Sequence, residues 1–249
     1  MKTVWIIGGS SGIGLELAKE YLYNGHRLVV SARKASQSEA LQELQKKFTE
    51  NLSLVDIDVT DTQSVQNGVE KAWCSYGVID TAIYNAGAYE SMKHKEWSFD
   101  HFEMMNNVNY LGALRVIIAL SPYFEVQKKG NFVFNLSISS YFGLPYGGGY
   151  SAPKAALLNL CESLQPELMM KNIKLQVINH GFVKTRLTAK NNFPMPQLLE
   201  PNQAAKKIYK ELQKPYRFEI YFPRTISLFL KLLRMLPYGF SFMITKKVL

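Results

Sequence analysis

Short runs of consecutive apolar residues alternate with segments whose apolar positions recur every three or four residues, and the alternation continues almost to the end of the chain. The runs at 3–7, 27–31, 52–57, 81–84, 132–136, 175–179 and 218–222 predict seven strands. Their apolar residues follow one another instead of alternating with polar ones, as a strand covered on both faces requires. Between them, 13–23, 39–48, 64–76, 99–120, 151–169 and 202–212 have helical spacing. Strand, helix, strand in this order predicts an α/β fold, a doubly wound parallel sheet of about seven strands with helices on both faces. In such a sheet ligands gather beyond the carboxyl ends of the strands, so chemistry is expected just after each strand. Two stretches break the rhythm. Residues 182–200, with Pro194 and Pro196, read as a loop, and residues 223–249 form a tail.

Composition narrows the class. Of 249 residues, 47% are apolar and 20% charged, enough for one sizeable core and unlike a disordered, collagenous or coiled-coil chain. Cys74 and Cys161 lie far apart and beside no His pair, so neither a disulfide framework nor a metal site is expected, and a reduced, cytoplasmic setting fits. The first apolar run ends at Gly8, too early for a signal peptide. No apolar stretch approaches the roughly 20 residues that span a bilayer. The net charge of +9 is unevenly placed: residues 201–249 hold ten Lys and Arg against Glu211 and Glu219, which leaves the first 200 residues close to neutral. Without zinc-finger spacing or an aromatic RNA-binding motif, that distribution is not the footprint of a nucleic-acid binder.

The first strand runs directly into Gly8-Gly9-Ser10-Ser11-Gly12-Ile13-Gly14 and then a helix. Small residues let backbone N–H groups approach a pyrophosphate, and the helix N-terminus offers partial positive charge to the same anion. A glycine pattern alone is equally the mark of a tight turn. The second strand ends in Ser31-Ala32-Arg33-Lys34, with no acid to hold a ribose 2′-hydroxyl. A guanidinium binds a 2′-phosphate that an acid would repel, so Arg33, with Lys34 beside it, favours NADP(H) over NAD(H). The alternative is a solvated surface arginine. Asp58 and Val59 after the third strand suit an adenine amine, and Asn85-Ala86-Gly87 after the fourth supplies small residues where a cofactor lies close to the chain.

Tyr150 and Lys154 stand four apart at the start of a helical segment, so hydroxyl and ammonium share a helix face. A tyrosine titrates near 10, and a neighbouring ammonium lowers that value by stabilising the phenolate. That spacing alone carries little information. Taken with Gly8, Gly12 and Gly14, Asp58, Asn85-Ala86-Gly87, Asn109 in Val108-Asn109-Tyr110-Leu111-Gly112, and Ser137, it resembles the short-chain dehydrogenase/reductase family over about 3–222. The resemblance implies a single Rossmann-like domain over 1–222, with 182–200 as substrate loop. It implies an oxidoreductase moving a hydride between NADP(H) and a carbonyl or alcohol substrate, working as a homodimer or homotetramer. In that family the tyrosine is the general acid/base, the lysine lowers its pKa and holds the nicotinamide ribose, the serine orients the substrate oxygen, and the asparagine completes a proton relay. Those roles are expected of Tyr150, Lys154, Ser137 and Asn109. Thr185, beyond Gly181 and Val183, matches the hydroxyl that holds the nicotinamide carboxamide.

Ser137 is preferred to Ser139 and Ser140 because it lies thirteen residues before Tyr150 and seven after Gly130, both common family separations. Two positions depart from the family pattern: Ile7 replaces a threonine, and His180-Gly181 replaces Pro-Gly. His180 either touches the cofactor or replaces a rigid proline at a bend, and the bend is preferred. His26, His94 and His101 carry no pattern. The cleft is expected from 89–97, 141–146 and 182–196, rich in aromatics, Met and Pro, which suggests an apolar substrate. The competing class is a nucleotide-binding sensor or scaffold without catalysis, against which the complete set of four catalytic positions argues.

In the tail, Ser227, Lys231 and Arg234 fall at i, i+4 and i+7 and leave a wide apolar face over 225–236, an amphipathic helix with a basic edge. It can lie in a membrane interface, cover the cleft, or pack on its own domain or a second subunit. Packing is preferred, because Pro237 interrupts the helix before 240–244 extend its apolar face. The expected setting is cytoplasmic, with peripheral contact of 225–249 at the inner membrane surface left open.

Overall fold

Seven strands, β1 (Thr3–Ile7), β2 (Arg27–Ala32), β3 (Leu52–Asp56), β4 (Thr81–Tyr84), β5 (Gly130–Asn135), β6 (Ile173–His180) and β7 (Glu219–Phe222), form one sheet in the computed structural model of the protein, which describes residues 1–248. Leu249, the last residue of the expected tail, lies outside the described residues. The strand order is β3-β2-β1-β4-β5-β6-β7 and every neighbouring pair is parallel. The expected α/β sheet is therefore present, with boundaries shifted by one or two residues, as helix and strand ends commonly are. Between β1 and β4 the winding changes direction, and that switch point opens a crevice beyond the carboxyl ends.

Nine α-helices are described: α1 (Gly12–Tyr23), α2 (Glu39–Lys47), α3 (Thr62–Cys74), α4 (Phe99–Asn106), α5 (Gly112–Gln127), α6 (Gly148–Met170), α7 (Pro201–Leu212), α8 (Arg224–Met235) and α9 (Tyr238–Thr245). Successive strand residues point to opposite faces. Ile6, Leu28 and Val30 accordingly pack with Leu17 and Tyr21 of α1, Leu41 of α2 and Ile208 of α7. Trp5, Val29 and Phe132 pack on the other side with Val65 of α3, Val116 and Phe124 of α5 and Leu157 of α6. Each Leu, Ile or Phe so buried contributes about 1.5–3 kcal/mol relative to exposure. The helix expected over 99–120 runs from α4 into α5 through a π-helical turn, Asn107–Leu111, which carries Asn109. Such widened turns often sit at functional sites because they redirect one residue without ending the helix.

The tail is helical, and it packs on its own domain. Leu230 and Leu233 of α8 are buried against Ile138 and Phe142. Part of the expected polar edge faces inward: Ser227 is fully buried and donates to the Pro223 carbonyl at 2.8 Å, and Lys231 pairs with Glu219 over the rings of Tyr141 and Tyr221, while Arg234 stays exposed. Among the described residues no helix is long and apolar enough to cross a membrane.

Candidate active site

The turn after β1 is built by close approach. Gly8 has φ +90°, and a Cβ there would fall 2.5 Å from the Ala86 nitrogen; a Cβ on Gly14 would overlap the Gly8 carbonyl oxygen. Glycine at both positions lets β1, the end of β4 and α1 close together. The Gly8 and Gly9 N–H groups donate to the Ser31 carbonyl at 2.7 and 3.1 Å. Ser11 is the N-cap of α1, yet its side chain makes no capping bond and no acid lies in the first turn. The N–H groups at Gly12, Ile13 and Gly14 therefore keep their donors for an anion, with Ser10 beside them. Thr185 closes the turn from above: its methyl carbon would lie 3.3 Å from a Cβ on Gly12. That segment is tied down where the Gly181 N–H donates to Phe222 and Val183 pairs with Leu199.

Arg33 and Lys34 are exposed beyond β2. The charge of Arg33 is felt at Asp58, whose carboxyl burial pushes up. Bonds from the Thr60 hydroxyl (2.7 Å) and N–H (2.9 Å), with Arg33 and Arg115, outweigh burial and hold it below its ordinary value. Arg115 also donates to the Val59 carbonyl at 3.2 Å and to Asn107 at 2.8 Å, bracing the loop after β3 against the π turn. Nothing in its sequence surroundings marks Arg115; its role depends on the tertiary approach of α5.

Tyr150 lies half-buried in the first turn of α6, and Lys154, one turn on, is 3% exposed. Burial pushes the Tyr150 hydroxyl up to about 12; the nearby Ser137 hydroxyl opposes the shift and the neighbouring Tyr89 adds to it. Lys154 Nζ is 5.7 Å from the centre of the Tyr150 ring and donates to the Asn135 carbonyl at 2.8 Å. Burial lowers its own pKa to about 8. The Tyr150 hydroxyl thus stands above its ordinary value instead of below it, because burial is the largest influence on it.

Of the three serines, Ser137 is the one whose hydroxyl opposes the upward shift of Tyr150, and its Oγ accepts from the Ser139 N–H at 3.2 Å. Ser140 is turned away and donates to Asn179 at 2.9 Å. Asn109 is fully buried, and its carboxamide is taken up by Ala88, whose N–H it accepts at 3.1 Å and to whose carbonyl it donates at 2.8 Å. It therefore holds the loop after β4, beside Gly87. His180 is kept neutral, its pKa lowered to about 4 by burial, and its ring lies with Phe222 and contacts the Gly181 carbonyl. That is the behaviour of a residue packed at a bend.

Asn135 was not singled out from sequence, although it stands as a polar residue at the end of an apolar strand. Its side chain donates to Asn85 at 2.7 Å, and Asn85 donates to the Gly8 carbonyl at 2.7 Å. With the Lys154 bond, these links join the glycine turn to the Tyr150 helix. The three segments expected to line the cleft do meet: Tyr89 donates to Asn191 at 2.7 Å, the Met92 N–H donates to Tyr146, and Glu90 pairs with Lys190. The Tyr89 ring stands edge-on to Tyr150, centres 5.0 Å apart. Among the described residues no three His, Cys, Asp or Glu gather as metal ligands.

The family model for short chain dehydrogenase matches residues 2–195. An uncharacterized oxidoreductase of Myxococcus xanthus is 29% identical over 236 residues, 95% of this chain and 93% of its own. A solved short-chain dehydrogenase from Streptomyces avermitilis has a TM-score of 0.85 at 21% identity, covering 100% of this chain and 98% of that one. The structure described as ElxO with NADP bound has a TM-score of 0.79 at 26% identity, over 88% and 96% of the two chains. Sheet order, glycine turn and a match over most of the sequence agree: the chain belongs to the short-chain dehydrogenase family and is a dehydrogenase/reductase.

Proposed function

We propose that the protein reduces the carbonyl group of an apolar small molecule to an alcohol, with NADP(H) as the preferred cofactor. The observation that carries this reading is the hydroxyl pair Ser137 and Tyr150 beside buried Lys154, beyond the carboxyl end of β5. The uncapped N-terminus of α1 and the glycine turn fit a pyrophosphate, and Arg33 with Lys34 fits a 2′-phosphate. ElxO, solved with NADP bound, supports the same cofactor. When bound, NADPH supplies a hydride to the carbonyl carbon.

The residues of the chain do the rest. Tyr150, at about 12, carries its proton at neutral pH and is set to donate it to the carbonyl oxygen. Ser137 orients that oxygen, its own Oγ being fixed by the Ser139 N–H. Lys154, charged below about 8, stabilises the phenolate left behind and holds the nicotinamide ribose, and Thr185 with Gly181 and Val183 frames the carboxamide. Asn109 acts by holding the Ala88 loop and by keeping the π turn in place for a proton relay. Tyr89, Met92 and Phe193 give the cleft its apolar wall. The reading includes a cytoplasmic homodimer or homotetramer, for which exposed Ile118 and Val126 on α5 offer apolar surface.

Tyr150→Phe tests it, because the ring stays and only the hydroxyl goes. Positioned proton transfer is worth about 10² to 10⁴ in rate. The variant should lose at least about a hundredfold in NADPH-dependent reduction of a ketone and aldehyde panel while NADPH still binds; retention of most activity rejects the assignment.

A further inference from the structure

α8 carries apolar residues on both its inner and its outer side. Ser227, Leu230 and Leu233 face the domain, and Lys231 is neutralised by Glu219. Phe229, Leu232 and Met235 project into solvent, Leu232 at 58% and Met235 at 81% exposure, and Phe240, Phe242 and Met243 of α9, the next helix, are exposed as well. Six large apolar side chains exposed on two successive helices mark a contact site. The surrounding charge has one sign: from residue 220 onward the chain contains five Lys and Arg and no Asp or Glu. With Lys231 paired, Arg224, Arg234, Lys246 and Lys247 remain exposed around the apolar face.

That charge pattern selects the occupant. A two-fold contact with a second copy sets the same patch against itself. Four cations would then meet four cations, with no acid in the stretch to pair them. Anionic lipid supplies both missing partners, negative headgroups for the cations and an acyl boundary for Phe, Leu and Met. We propose that the outer face of α8 and α9 docks the enzyme on an anionic lipid surface. The helices lie flat in the interface, since neither is long enough to cross it.

Sedimentation of the full chain with vesicles tests this. The protein should sediment with vesicles of mixed phosphatidylglycerol and phosphatidylcholine, much less with phosphatidylcholine alone, and be released as salt rises. Phe229→Ser with Leu232→Ser should keep the melting temperature, both positions being exposed, and weaken vesicle affinity about tenfold or more. Arg234→Glu with Lys246→Glu should do the same, since each cation near the surface is worth about fivefold in affinity. No sedimentation with phosphatidylglycerol vesicles overturns the proposal. So does equal, salt-insensitive binding to both vesicle types, or full binding by the Phe229/Leu232 variant. A dimer that falls to monomer in that variant, with no vesicle binding by the parent, shows instead that a second copy covers the face.

Discussion

Arg33 makes no use of its charge within the fold beyond its pull on Asp58, and it stands exposed beyond the end of β2, where the proposed function places the adenosine ribose. The parent protein should bind NADPH more tightly than NADH. Arg33→Ala should cost NADPH about 1.5–3 kcal/mol, the range for a charged hydrogen bond, and leave NADH nearly unchanged. Titrating both nucleotides against both proteins checks this, and equal affinities in the parent exclude the role. Lys154 sets a pH dependence. Its pKa is lowered from 10.5 to about 8, so the folded protein holds the ammonium below about 8 and loses it above. The kcat/KM for reduction should therefore fall as pH rises through about 8, well below the range in which an ordinary lysine loses its charge. A profile flat to pH 10 would show that the charge of Lys154 does not enter the reaction.

Among the elements, α8 offers the sharpest contrast, because adjacent leucines have opposite surroundings. Leu233→Ala removes a side chain packed on Ile138 and Phe142 and should destabilise by about 2–4 kcal/mol. Leu232→Ala, at an exposed site, should stay within about 0.5 kcal/mol. Thermal or urea melts of the two variants read the direction of the helix, and the reverse order would show the apolar face turned inward. The helix itself was legible in the tail sequence, but its rotation was not. Rotation follows from the pairing of Lys231 with Glu219 on β7 and from buried Ser227, both set by tertiary contact. The strands were legible because two-sided burial leaves consecutive apolar runs, and the helices before the tail because their apolar positions recur every three or four residues; α9 was not singled out. The π turn was hidden, since residues 107–111 read as ordinary helix. So was the link from Lys154 through Asn135 and Asn85 to Gly8, which exists only once β1, β4 and β5 lie side by side. Tyr150, Lys154 and Ser137 were singled out by the family resemblance and lie near one another in the structure, whereas the upward shift of Tyr150 was not legible, because burial dominates it.

At the scale of the whole molecule, one sheet carries the nucleotide crevice at its centre and the tail helices near its β7 edge, and a single carboxylate joins the two regions. Glu219 accepts from Lys231 of α8, from Asn179 of β6 at 2.8 Å, and from Tyr141 in the loop after β5. Asn179 in turn accepts from Ser140, three residues beyond Ser137. Leu230 and Leu233 press on Ile138 and Phe142 of the same loop. α8 is thus clamped to the lip of the cleft by ionic, hydrogen-bonded and apolar contacts at once, so a load applied to its outer side cannot be taken up by the helix alone. The helix behaves as a buttress to the segment that follows Ser137, so displacing it would disturb the loop that carries Ile138, Ser140 and Tyr141.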